Sequence, residues 1–318
     1  MLSTDWSRSM GLDVPIVNAP MGGAAGGALA AAVSRAGGLG MIGMGSSATA
    51  AKLAAELPHV ANLNRPFGIG MVEWVAAGQP ELLDTALAAR PALLSVSFGE
   101  RWEWVRRAHD AGVLAAAQVP DLPSARRAVD AGADIVIARG AEGGGHGEPR
   151  VGTLPLLTEL LDHLDVPVLA AGGISSGRGL AAVLAAGASA AWVGTAFTAC
   201  TESLLSDATR ERLLSASNTD TVTTRAFDVA LGYAWPPSLP ERVLRNDFSD
   251  RWDGHEESLG PDAAAELAEA IAGEDFTRSP INAGQGVGAL TAVRSVAEVI
   301  GQLSSEAAEL LSRWTTRE

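Results

Sequence analysis

Residues 167–194 read PVLAAGGISSGRGLAAVLAAGASAAWVG. The stretch opens on a continuous apolar run, Pro167–Ala171, followed by a glycine turn. A helical segment, GRGLAAVLAAG, then closes at Gly187, and a second apolar run, Ala190–Gly194, follows. Apolar runs that do not alternate with polar residues are buried on both faces, as in a parallel sheet. A glycine just past a helix is the C-cap that a helix-to-strand loop favours. The segment therefore reads as strand, helix, strand.

The same unit recurs towards the N-terminus. Apolar runs lie at Pro15–Ala19, Leu39–Gly43, Phe67–Val72, Leu93–Phe98, Val113–Gln118 and Asp134–Ala138. Helical segments separate them, several ending in Ala-Gly at Gly37, Gly112 and Gly132. With the first pair this makes eight units of an α/β protein, the number of a (β/α)8 TIM barrel. A doubly wound sheet usually has fewer strands, which makes it the weaker alternative. Past the eighth run the regularity stops. Residues 200–283 are turn-rich, with WPPSLP and DFSDRWDGHEE, and read as helices and loops covering the C-terminal face of the barrel. A last helix, Val287 to Trp314, packs back on the outside, on its own barrel or on a partner's. No low-complexity linker divides the chain, so residues 1–318 read as one domain with a cap-like insertion.

Composition narrows the function. The chain carries 23 basic and 37 acidic residues, a net charge of −14, with 47% apolar residues. A large core is affordable and disorder is excluded. The acidic balance and lack of a basic stripe argue against a nucleic-acid partner. No apolar stretch is long enough to span a membrane, and the N-terminus lacks the order of a signal peptide. One cysteine, Cys200, fits a reducing cytoplasm. Lys52 is the only lysine and sits in a helical stretch, TAAKLAAEL, so Schiff-base and pyridoxal-phosphate chemistries are nearly excluded.

Three motifs remain. Gly38-Leu-Gly40-Met-Ile-Gly43 has the letters of a dinucleotide fingerprint, but a helix precedes it and a strand is built from it, the reverse of what that motif needs. Gly172-Gly173 and Gly194-Thr195 end the seventh and eighth strands, where barrel loops commonly hold a phosphate through glycine N–H groups. His146 follows strand six in Gly140-Ala-Glu142-Gly-Gly-Gly-His146-Gly147. A glycine-flexible loop on that face is where catalytic groups are placed, and a neutral imidazole can act as a general base. His59, His109, His163 and His255 carry no comparable context. No histidine pair has metal-ligand spacing, and Glu142 and Glu148 read as solvated loop carboxylates, so no metal is expected. A G-x-S-x-G elbow is also lacking.

Together these pieces resemble the nitronate monooxygenases, formerly called 2-nitropropane dioxygenases, which are FMN-containing (β/α)8 proteins. The resemblance runs from Ala19-Pro20-Met21-Gly22-Gly23 and LAAAVSRAGGLGMIG, through Gly140–Gly147, Ala171-Gly172-Gly173-Ile174 and Gly194-Thr195-Ala196-Phe197, to Ala283-Gly284-Gln285-Gly286. It implies that Ala19, Pro20, Met21 and Gly22 lie against the flavin ring, and that Gln118 reaches the ring edge or ribityl chain. Gly172, Gly173, Gly194 and Thr195 would cradle the FMN phosphate, with Gly145 beside the flavin. Gln285 and Gly286 would close over it, and His146 would be the catalytic histidine. Two positions depart from the family: Gly70 replaces the asparagine of P-F-G-x-N, and Gly144 stands where alanine is usual. Arg139 also replaces a neutral residue; it points outward to solvent, or faces the flavin and stabilises its reduced anion.

The implied activity is oxidative denitrification of alkyl nitronates or nitroalkanes by O2, giving a carbonyl compound and nitrite. The alternatives are an NAD(P)H-dependent reductase of the enoyl-acyl-carrier-protein reductase type, which shares the barrel and a related histidine, and a flavin-binding barrel without turnover. An IMP dehydrogenase-like reading needs a mid-barrel cysteine, whereas Cys200 follows strand eight. Tyr233 and Trp235 either line the substrate pocket or anchor the insertion to the barrel. Monomer and homodimer both remain open.

Overall fold

The computed structural model describes residues 2–313. The apolar runs become β1 (Ile16–Asn18), β2 (Gly40–Met44), β3 (Phe67–Val72), β4 (Leu93–Ser97), β5 (Leu114–Val119) and β6 (Ile135–Arg139). A two-residue strand, β7 (Gly145–His146), comes before β8 (Val168–Ala171) and β9 (Ala190–Val193). All except β7 pair in parallel, in the order β1-β9-β8-β6-β5-β4-β3-β2. The two ends of that order meet where Val17 bridges Leu39 and the Leu39 N–H donates to the Ile16 carbonyl at 3.0 Å. The sheet is thus a closed (β/α)8 barrel. Buried Asn18 reinforces this seam: its Oδ1 accepts from Met41 N at 2.7 Å and its Nδ2 donates to the Met41 carbonyl at 2.9 Å. A side-chain amide here replaces ladder bonds that so short a strand cannot make.

Inside the barrel Leu39, Met41, Leu93, Ile137, Leu169 and Trp192 form one cluster. Trp6, from the helix Asp5–Ser9, joins them and plugs the end where the strands begin. Outside, Leu29, Leu156, Leu160, Leu180 and Val183 pack helices onto Val136, Val168 and Val193. The C-terminal helix, Val296–Ser312, adds Val296, Ile300, Leu303 and Ala307 to this layer, so it covers its own barrel. It starts later than Val287, because Val287–Ala289 is one 3-10 turn and the true start is a capping box of Ser295 and Glu298. Trp314, read as its end, lies outside the described residues.

Between 200 and 283 the chain holds more than helices and loops. The strands β10 (Thr221–Thr224) and β11 (Glu241–Leu244) pair antiparallel, and β11 also pairs with β7. Phe227, Val243, Phe248 and Leu267 form a small core beside them. The sheet fixes the loop after β6 to the insertion. No helix among the described residues is long and apolar enough to cross a membrane.

Candidate active site

A cavity of about 840 Å³ opens where the barrel strands end. That is within the range of about 300–1,000 Å³ usual for cofactor and ligand sites. Ala19, Pro20, Met21, Gly22, Gln118, Arg139, Gly145, His146, Gly172, Gly173, Gly194 and Thr195 all line it. Segments distant in sequence converge there because each follows or ends a different barrel strand.

Gln285 and Gly286 stand elsewhere. The Gln285 N–H donates to the Glu142 carbonyl at 2.9 Å, and a Cβ on Gly286 would meet Ser175 Oγ at 2.5 Å and the Gly173 carbonyl at 2.9 Å. They brace the glycine turn from behind rather than line the cavity. Gly172 and Gly173 take φ of +118° and +68°, a turn that exposes their backbone to the cavity. Two of the departures from the family, Gly70 and Gly144, are sterically confined. A Cβ on Gly70 would stand 2.2 Å from Pro20 Cγ, so proline fills the place of an asparagine side chain. A Cβ on Gly144 would stand 2.6 Å from Gly284 N.

The histidine loop is clamped, not flexible. His146 sits in β7, in register with Glu241, and Gly145 with Arg242. Arg139 is 5% exposed and does not reach solvent. Its Nη2 donates to the carbonyls of Gly143 at 2.9 Å and Gly145 at 3.0 Å. Burial and then the nearby Arg242 lower its pKa to about 10, so it keeps its charge at neutral pH. Arg242 Nη2 holds the Ala141 carbonyl at 3.0 Å. Glu142, read as a solvated loop carboxylate, is half-buried and engaged: Thr153 N and Oγ1 both donate to its Oε2 at 2.9 Å, which caps the helix Thr153–His163. Glu148 pairs with Arg150 on the surface.

The imidazole of His146 is fixed in plane and in rotation. It stacks on Trp235, with ring centroids 3.6 Å apart and planes 8° apart. Trp74 and Phe98 in turn meet Trp235 edge-on, at 5.6 and 5.2 Å. Phe98 takes a left-handed φ of 72°, a strained conformation for an aromatic residue, on the cavity wall. Trp235 therefore faces the site, while half-exposed Tyr233 also lines the cavity. His146 Nε2 lies 2.9 Å from Oδ2 of Asp228, which is buried on the helix Ala226–Leu231.

Asp228 and Glu241 are absent from the sequence reading. Oxygen atoms of both and a His146 ring nitrogen lie within 4.8 Å of one another. Burial, then the charge of Asp228, pushes the Glu241 carboxyl up to about 8. A divalent ion there would have to displace that proton and break the His146–Asp228 hydrogen bond, so the trio is better suited to handling protons than to binding metal.

With this geometry in view, residues 5–77 and 74–306 match the family model for nitronate monooxygenase. The chain belongs to the nitronate monooxygenase family. Its members are flavin-dependent oxidoreductases, and the chain is an enzyme of that type. Among its relatives is a Rhodococcus jostii (3aS,4S,5R,7aS)-5-hydroxy-7a-methyl-1-oxo-octahydro-1H-indene-4-carboxyl-CoA dehydrogenase, 32% identical over 84% of this chain and 72% of the relative. The barrel also matches FabK from Thermotoga maritima, with a TM-score of 0.87, 30% identity and 98% of each chain covered. Nitroalkane oxidase from Streptomyces ansochromogenes matches with a TM-score of 0.84 and 30% identity, over 97% of this chain and 100% of that one. The nitronate monooxygenase family thus shares its barrel with enzymes of more than one named activity.

Proposed function

We propose that the chain is an FMN-dependent enzyme that oxidises nitroalkanes or alkyl nitronates with O2 to a carbonyl compound and nitrite. The observation that carries this reading is His146, held by buried Asp228 under Trp235, in the wall of the glycine-lined cavity. The cavity walls fit the cofactor. Gly172, Gly173, Gly194 and Thr195 would hold its phosphate through backbone N–H groups, and Ala19–Gly22 would lie against its ring. Gln118 would contact the ring edge or ribityl chain, with Gly145 and the Arg139 cation nearby. When bound, FMN supplies the redox chemistry with O2.

The protein's part is proton transfer and orientation. Asp228 accepts the Nε2–H of His146, which leaves Nδ1 with the lone pair that can take the substrate's α-proton. Asp228 then stabilises the imidazolium that results. Trp235 covers one face of the ring, and Phe98 holds Trp235 edge-on. The test is oxygen uptake by the purified flavoprotein on adding an alkyl nitronate without NAD(P)H. Uptake with stoichiometric nitrite is the expected result. No uptake, from a preparation whose flavin NADPH bleaches anaerobically, overturns it in favour of a reductase of the enoyl-acyl-carrier-protein type. That second reading draws on the likeness to FabK. The charge of −14 opposes it, because an acidic carrier protein would be repelled.

A further inference from the structure

Glu241 is a buried carboxyl with no partner to account for it. It opens β11, in register with His146 on one side and Thr224 on the other. It is 5% exposed and lines the cavity. Among the described residues its side chain has neither a hydrogen bond nor an ion pair, whereas Asp228 beside it is engaged by His146. A buried acid without a partner is costly, so its retention at a cavity wall calls for a ligand that satisfies it.

We propose that Glu241 works as a neutral carboxylic acid whose O–H donates a hydrogen bond to the oxygen that gains charge when His146 removes the substrate's α-proton. The proposal rests on the nitroalkane reading above and deepens it. In that step the Cα–H bond breaks, the proton goes to His146 Nδ1, and the electron pair enters the C=N bond. The negative charge settles on a nitro oxygen, and Glu241 keeps its proton. A donor aimed at developing charge in a dry site favours the transition state over the ground state.

The surroundings of Glu241 suit this role. The titratable groups facing it are Asp228, from the helix Ala226–Leu231, and His146, from β7. Arg242, next along the strand, turns its guanidinium away to the Ala141 carbonyl. With no cation paired to it, and with Asp228 adjacent, the carboxyl stays protonated up to about pH 8. A carboxylic acid kept neutral by its site is a known way to supply a hydrogen-bond donor at neutral pH.

The experiment is the pH profile of kcat/KM for nitroethane in three proteins, joined to an infrared measurement on the flavin-loaded enzyme. Glu241→Ala should lose about 10²-fold, the usual cost of one such donor. Glu241→Gln should lose about tenfold less than that, because the amide N–H still donates. The unsubstituted enzyme should lose activity as pH rises through about 8, where Glu241 ionises, and Glu241→Gln should not share that fall. The C=O stretch of a protonated carboxylic acid should be present at pH 7 and absent from Glu241→Gln. A shared pH profile, full activity in Glu241→Ala, or no such infrared band overturns the proposal. So does activity that requires an added divalent cation and vanishes with a chelator. Should no nitroalkane turn over, the substrate reading fails by itself, while the infrared band still reports the state of Glu241.

Discussion

Among the described residues two His–Asp pairs have the same length. His146 Nε2 and His109 Nε2 each lie 2.9 Å from an aspartate oxygen, of Asp228 and Asp134 respectively. His109 rides the helix Glu103–Asp110, and its side chain and that of Asp134 are 42% and 32% exposed. Asp134 also accepts from Ala115 N at 2.7 Å, at the end of the barrel where strands begin. At the opposite end the side chains of His146 and Asp228 are 14% and 7% exposed, beside a stacked indole and a second carboxyl, Glu241, whose pKa burial raises. Distance is therefore the poorer discriminator. Chemistry is set by burial, by a fixed ring plane and by which end of the barrel the pair occupies. The outer pair is a surface contact worth about 0–1 kcal/mol.

Substitutions separate the two pairs. Asp228→Asn should cost about 10³–10⁴-fold in kcat for nitroalkane, because an amide N–H aimed at Nε2 leaves Nδ1 protonated and unable to act as base. Steady-state nitrite release measures this; a loss below tenfold would contradict it. Trp235→Ala should destabilise the fold by about 3–5 kcal/mol, since it removes an indole packed between His146, Trp74 and Phe98. Urea denaturation gives that number, with unchanged stability the opposing result.

Glu241 sharpens the contrast through pH. Its folded pKa of about 8 lies above the ordinary carboxyl value. As pH rises from about 4.5 the unfolded chain ionises this group before the folded one does. Stability should therefore fall between about pH 4.5 and 8 and level off above. Glu241→Gln removes this term, so its melting temperature should gain on the unsubstituted protein across that window by about 5 °C. Parallel melting curves would refute it. The smallest effect belongs to the outer pair: His109→Ala should leave turnover within about twofold and cost under about 1 kcal/mol of stability.

How much of this was visible in the amino-acid order depends on the range of the signal. The barrel was legible because each β–α unit announces itself locally, in an apolar run and a glycine cap such as Gly187. His146 was legible because three glycines leave no packing reason for it. Asp228 and Glu241 were not, since each is one acidic residue in a turn-rich insertion. They reach His146 only through the pairing of β7 with β11 and the packing of the helix Ala226–Leu231. The strands concerned, TVTT and ERVL, are four residues long and at least half polar, too short for periodicity to detect. Arg139 was half legible. Its oddity showed in the motif, but its task of holding the Gly143 and Gly145 carbonyls depends on a loop shape that no local pattern encodes.

The central claim is that His146, held on Asp228, removes the substrate's α-proton. The most direct test compares His146→Asn on neutral nitroethane and on the same compound already ionised to its nitronate, with flavin content confirmed by absorbance. The account predicts that turnover of the neutral compound falls by about 10²–10⁴-fold while the nitronate is still oxidised. Equal turnover of the neutral compound by the variant and the unsubstituted enzyme would contradict it.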